Sequence, residues 1–160
     1  MALRLGDPVP DVCVQTLDHN GIATVSVAAL CHESRLVLFA VPGAFTPACS
    51  ARHLPGFVEL AAAFKAKGVA TLACTAVNDA FVMEAWGRVN NANATVRMLA
   101  DGNGDFARAM ELLQDARPFG RGWRSQRYAM IADGGRITHL FVDEPGAFEV
   151  SAAPHVLAHL

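Results

Sequence analysis

Cys49 is the residue best placed to do chemistry. It lies in Val41-Pro42-Gly43-Ala44-Phe45-Thr46-Pro47-Ala48-Cys49-Ser50, directly after the apolar run Leu36-Val37-Leu38-Phe39-Ala40. Such a run reads as a fully buried strand. Gly43 and the flanking prolines force a turn, and Thr46 followed by Pro47 signals a helix start, with Thr46 as N-cap and Pro47 at N1. Cys49 then falls at N3, where free N–H groups and the positive end of the helix dipole favour negative charge. A free thiol titrates near ~8.5, so a helix N-terminus that favours the thiolate offers a sulfur nucleophile at neutral pH. The competing reading is an unreactive buried helix cysteine, since free cysteines are commonly core residues.

Other candidate sites are weaker. Asp101-Gly102-Asn103-Gly104-Asp105 opens like a calcium loop, but Phe106 and Leu112 stand where the loop requires Gly and Glu. Gly102 and Gly104 with Ala107 mimic a dinucleotide fingerprint, yet Asp101 and Asp105 would repel a pyrophosphate. A helix-opening turn accounts better for the segment. His155 and His159 are one helical turn apart and have no third ligand at suitable spacing, so surface or interface positions are expected. Cys13, Cys31, Cys49 and Cys74 form no C-x-x-C pair and no zinc spacing, which points to free thiols in a reducing cytoplasm.

At 160 residues with 52% hydrophobic composition, one domain over 1–160 with a substantial core is expected. A net charge of -2 and a pI near 6.3 offer no basic field for nucleic acid. No apolar run reaches membrane-spanning length, and the opening Met1-Ala2-Leu3-Arg4-Leu5-Gly6-Asp7-Pro8 carries no targeting signal.

The elements that must position Cys49 follow from turn signals and periodicity. Val12–Leu17 and Ile22–Val27 flank Asp18-His19-Asn20-Gly21 as an N-terminal β-hairpin, with Cys13 in its first strand, and a short helical turn covers Ala28–Cys31. After the Leu36–Val41 strand comes a long helix, expected to kink at Pro55-Gly56. Leu54, Phe57, Val58, Ala61 and Phe64 form its apolar face, and Lys65, Lys67 and Gly68 end it. Val69–Val77 reads as a second buried strand. Asn78-Asp79 then caps a helix with Val82, Ala85, Trp86 and Val89 on one side. Val96–Ala100 is a strand, Asp105–Leu113 a helix, Gly120–Ser125 a mobile loop, Tyr128–Ala132 and Ile137–Val142 a hairpin, and Ser151–His159 a closing helix. This order implies an α/β fold with a mixed sheet covered on both faces.

The run Pro42-Gly43-Ala44-Phe45-Thr46-Pro47-x-Cys49-Ser50, continued by His53-Leu54-Pro55-Gly56-Phe57, resembles the type II or type 5 peroxiredoxins. Matching segments extend through Val77-Asn78-Asp79, Trp86-Gly87, Leu99-Ala100-Asp101 and Arg127-Tyr128-Ala129-Met130, so the resemblance covers nearly the whole chain. It implies a thioredoxin-like fold and a thiol-dependent peroxidase acting on hydrogen peroxide and alkyl hydroperoxides, with no metal or prosthetic group and assembled as a homodimer. By the same resemblance Cys49 attacks, Thr46 holds peroxide and thiolate by its hydroxyl, Pro42 shields the pocket, and Arg127 polarises the oxygen, with Arg124 a weaker candidate to support it. His53 becomes a structural or substrate-side neighbour, not a general base, while Cys13 and Cys31 are taken as inert core thiols.

The thiol that regenerates Cys49 stays open. Members with a resolving cysteine near the C-terminus carry it where this chain has Val150. Cys74 matches a position assigned that role in some members, but its apolar strand setting favours a core thiol, and a bridge would require Cα atoms within about 7 Å. The alternative is resolution by glutathione, glutaredoxin or thioredoxin. Two other functions compete: a general thiol-disulfide oxidoreductase, which the missing C-x-x-C disfavours, and a non-catalytic redox sensor or chaperone-like protein.

Overall fold

The computed structural model describes residues 3–160; Met1 and Ala2, which open the segment screened for targeting signals, lie outside the described residues. No described helix is long and apolar enough to cross a membrane. Strands β1 (Cys13–Asp18), β2 (Gly21–Ser26), β3 (Arg35–Ala40), β4 (Val69–Ala76), β5 (Arg97–Ala100), β8 (Tyr128–Asp133) and β9 (Arg136–Val142) form one sheet in the order β2-β1-β5-β4-β3-β8-β9. The β3, β4 and β5 strands are parallel, whereas β8, β9 and the N-terminal hairpin run antiparallel, so the sheet is mixed as its patterning requires.

Side chains alternate across each strand, and this divides the core in two. Val37, Phe39, Cys74, Ala129 and Ile131 face α2 (Leu54–Glu59), α3 (Ala61–Ala66), α4 (Ala80–Val89) and α6 (Ala153–Leu157). Leu36, Leu38, Ala73, Tyr128 and Met130 face α1 (Val27–Leu30) and α5 (Asp105–Ala109). On the first face Phe39 stacks on Phe57 at 3.9 Å and Phe57 on Phe64 at 5.4 Å, a ring column that clamps α2 and α3 to β3. Such pairs contribute about 0.5–1.5 kcal/mol each beyond area burial.

Several expectations require correction. The helix after Cys49 does not kink at Pro55-Gly56: a π-helical turn at Cys49–His53 precedes α2, and the break falls at Leu60, with φ -97 and ψ 9. Leu54 N–H bonds to Cys49 C=O five residues back, and this wider turn leads into Pro55, which has no N–H to donate. Asp79 caps α4 as expected, accepting from Val82 N–H at 2.9 Å. Its buried side, however, is Ala80, Met83, Trp86 and Gly87, while Val89 is 67% exposed. Gly87 sets this rotation, because a β-carbon there would collide with Asn93 and Met98.

The helix expected over Asp105–Leu113 stops at Ala109, and Glu111 turns the chain with φ 59. Leu113 instead opens β6 (Leu113–Asp115), which pairs with β7 (Trp123–Ser125). The supposed mobile loop at Gly120–Ser125 therefore contains a strand. Cys13 is exposed rather than a core thiol, because Val14 takes the inward position of β1. Cys31 is buried, and burial pushes its thiol up. The Asp101 carboxylate accepts from Phe106 and Ala107 N–H at 3.0 and 2.9 Å, the helix-opening role expected of that segment.

Candidate active site

The strand-to-helix turn is held from three directions. Val41 N–H bonds to Thr75 C=O at 3.0 Å, extending the β3–β4 pairing past the end of the strand, and Ala44 N–H bonds to Asn78 Oδ1 at 3.0 Å. Gly43 C=O accepts both the Thr46 N–H, at 3.4 Å, and the Thr46 hydroxyl, at 2.7 Å. Phe45 occupies the third position of this turn with φ 65, a strained conformation for a bulky residue. The Thr46 carbonyl accepts the helical bond from Ser50 N–H at 2.9 Å, so Thr46 holds the N-cap position through its backbone. Its hydroxyl is not a cap: by donating to Gly43 it presents its lone pairs elsewhere.

Cys49 is fully buried, and one Nη of Arg127 donates to its sulfur at 3.1 Å. Arg127 immediately precedes β8 and shares the sheet face of Ala129 and Ile131. Its other Nη donates to His53 Nδ1 at 2.7 Å, and His53 Nε2 donates to Ser151 C=O at 3.1 Å. His53 is fully buried; desolvation, reinforced by the Arg127 charge, pushes its pKa down to about 3 against the opposing pull of the Ser151 carbonyl and Asp143. A neutral ring with both nitrogens engaged orients the guanidinium and has no free nitrogen to act as a general base.

A cavity of about 630 Å³ opens over this cluster, lined by Pro42, Thr46, Pro47, Ala48, Arg127 and Phe148 among others. Cys49 lies behind that lining, and Arg127 links the two by lining the cavity and touching the sulfur. Such an arrangement can activate a sulfur and stabilise charge developing on a small bound oxidant.

Residues 4–157 match the Redoxin family model. Peroxiredoxin-2E, chloroplastic, of Arabidopsis thaliana is 44% identical over 163 residues, covering 99% of this chain and 70% of that protein. Arabidopsis Peroxiredoxin-2B is 42% identical, with 99% and 98% covered. The reduced Prx3 of Vibrio vulnificus solved in complex with H2O2 is 48% identical, with a TM-score of 0.94 over 98% of each chain. The chain belongs to the peroxiredoxins. It has the thioredoxin-like fold and is a thiol-dependent peroxidase.

In this peroxiredoxin Pro42, Thr46 and Arg127 line one cavity, and Arg127 reaches from it to the Cys49 sulfur. Arg124 does not support Arg127; it donates to Arg121 C=O at 2.8 Å and Val77 C=O at 3.0 Å, bracing the end of β4. Cys74 lies on β4 opposite Phe39, in the same core cluster as Cys49, fully buried. Burial foremost, then Cys49, pushes its thiol well up, against the pull of Arg127. All four cysteines are free. Asn78, Phe148 and Ser151 were not anticipated, nor was the bond from Trp86 Nε1 to Ser50 Oγ at 2.9 Å. Of these only Asn78, beside the capping Asp79, left a local trace in the sequence.

Proposed function

We propose that Cys49 is the peroxidatic residue and that it reduces hydrogen peroxide and small organic hydroperoxides. The observation that carries this reading is the 3.1 Å contact from Arg127 to the Cys49 sulfur. The Cys49 thiolate attacks the nearer peroxide oxygen, the S–O bond forms as the O–O bond breaks, and sulfur is oxidised to the sulfenic acid. The departing hydroxide or alkoxide takes up a proton and leaves as water or alcohol. Arg127 stabilises charge on the peroxide oxygens, the Thr46 hydroxyl accepts from the peroxide while donating to Gly43, and Pro42 excludes water.

The sulfenic acid then condenses with an external thiol, releasing water, and a second thiol reduces the mixed disulfide. Glutathione with glutaredoxin, or thioredoxin, supplies these thiols, and no metal or prosthetic group takes part. A buried thiol kept protonated by its surroundings is a poor nucleophile, so Cys74 is not the resolving group in this reading. Free cysteines throughout suit a reducing cytoplasm. Exposed rings of Phe45, Phe119 and Trp123 supply apolar surface that a second copy would cover in a homodimer.

Mass spectrometry after one equivalent of peroxide, with and without glutathione, tests the cycle. A sulfenic acid at Cys49 that becomes a glutathione adduct is expected; a Cys49–Cys74 bridge would replace the external thiol with an internal one. Cys49→Ser should abolish turnover, and Cys74→Ser should leave turnover with glutathione and glutaredoxin largely intact. Oxidation of Cys49 without turnover by any reductant would point to a sensor.

A further inference from the structure

The loop after β9 returns to Arg127 by two routes. Asp143 N–H donates to Arg127 C=O at 3.0 Å, so the loop departs from the backbone of the arginine itself. The buried Asp143 carboxylate then gathers Glu149 and Val150 N–H on one oxygen, at 3.0 and 2.8 Å, and Ser151 N–H and hydroxyl on the other. These bonds fold the loop so that Ser151 C=O meets His53 Nε2, which leaves His53 Nδ1 as the acceptor for Arg127. The same loop sets Phe148 against His53, at 4.9 Å between ring centroids, and beneath Arg127, at 5.6 Å from its guanidinium carbon.

We propose that Asp143 is a positioning residue for peroxide reduction, acting on Cys49 through Ser151, His53 and Arg127. The inference rests on the peroxidase reading of Cys49. Burial alone would raise the Asp143 carboxyl, but the Ser151 hydroxyl and three backbone N–H groups outweigh it and hold the carboxyl below its usual range, so it acts as an anionic hub. Arg127 has rotatable bonds along its whole length, and a guanidinium displaced by about 1 Å can cost on the order of 100-fold in rate. The chain of bonds from Asp143 removes that freedom.

The test compares two reactions of one sulfur. Hydrogen peroxide requires both the thiolate and a guanidinium aimed at the breaking O–O bond; iodoacetamide alkylates the sulfur without any such bond. With both reactions followed to the pH at which each rate levels off, the second-order rate of Cys49 with hydrogen peroxide in Asp143→Asn is expected to fall about 10- to 100-fold, while alkylation changes by less than about twofold. A second pair decides the matter if that variant folds poorly. His53→Asn keeps an acceptor near the Nδ1 position facing Arg127, whereas His53→Gln keeps only a donor toward Ser151. The Asn variant should therefore retain more of the peroxide rate.

Unchanged peroxide rates in Asp143→Asn, a parallel fall of both reactions at an unchanged thermal midpoint, or a Gln variant faster than the Asn variant would each overturn the proposal. A parent protein whose Cys49 does not react with peroxide overturns the peroxidase reading instead. A reactive parent with unaffected variants overturns only the positioning role.

Discussion

Arg127 and Tyr128 are neighbours in sequence and lie on opposite faces of the sheet, as do Cys74 and Thr75. On the face of Arg127, buried polar groups form a continuous chain from Asp143 through Ser151 and His53 to the Cys49 sulfur. On the other face, the Tyr128 and Thr75 hydroxyls are the buried side-chain oxygens without a hydrogen-bond partner among the described residues. Both border a gap shared with Asp101 and Phe106 that has no room for a water molecule. The sheet around β3 thus carries a paired network on one face and unpaired groups on the other. In the first, burial makes each bond directional and holds reactive groups in place; in the second, burial only imposes a desolvation cost.

The largest effect should come from breaking the paired face at its centre. Arg127→Gln removes the cationic donor aimed at the sulfur and is expected to lower the rate of Cys49 oxidation by hydrogen peroxide by about 10²–10³-fold, the loss typical of one preorganised donor. Stopped-flow fluorescence of Trp86, which touches Ser50 beside Cys49, offers a direct readout. A loss under tenfold would mean that the guanidinium is a structural partner of His53 and not part of the chemistry.

A smaller effect separates the faces by pH. Folded His53 stays neutral down to about pH 3, whereas in the unfolded chain it takes a proton near ~6.5. Below that value the unfolded chain binds the extra proton, so stability is fully present above about pH 6.5 and is lost as pH falls toward 3. At about 1.4 kcal/mol per pH unit, some 2 kcal/mol should disappear between pH 7 and pH 5. Asp101, raised by burial, contributes with the opposite sign near the carboxylate range. The difference between the parent and His53→Asn in urea unfolding at each pH isolates the histidine. Parallel curves for the two proteins would show that His53 titrates normally.

The two faces also differ in how far the sequence exposed them. The β3 run, its proline-bounded turn and Cys49 were legible because strand burial, turn chemistry and helix capping are local, and Pro42, Thr46 and Arg127 followed from the resemblance that those residues carry. The bonds that hold Arg127 were not, because they join residues 74 and 98 positions apart and depend on a π-helical turn that no periodicity announces. The rotation of α4 was missed because Gly87 buries without counting as apolar, and β6 and β7 because three-residue strands are too short to display alternation. Helix and strand identity survived where a cap, as at α4, or a continuous apolar run, as in β3, marked the element.

The smallest effect belongs to the unpaired face, and its sign is the informative part. Replacing a buried hydroxyl that has a partner usually destabilises; replacing one without a partner removes a desolvation cost and leaves shape nearly unchanged. Tyr128 is further disfavoured as an anion, since burial and then the Asp101 charge push its phenol up, so it has no ionised form to contribute near neutral pH. Tyr128→Phe and Thr75→Val should each be neutral or stabilising by about 1 kcal/mol in urea unfolding, and peroxide rates should hold within about twofold, because both side chains point away from Cys49. The two residues both pair with Ala40 across the sheet and so share a gap, which makes the double variant the sharper measurement. A gain that adds across the pair means each hydroxyl was separately unpaired, whereas destabilisation by either variant would reveal a partner for it and erase the contrast between the faces.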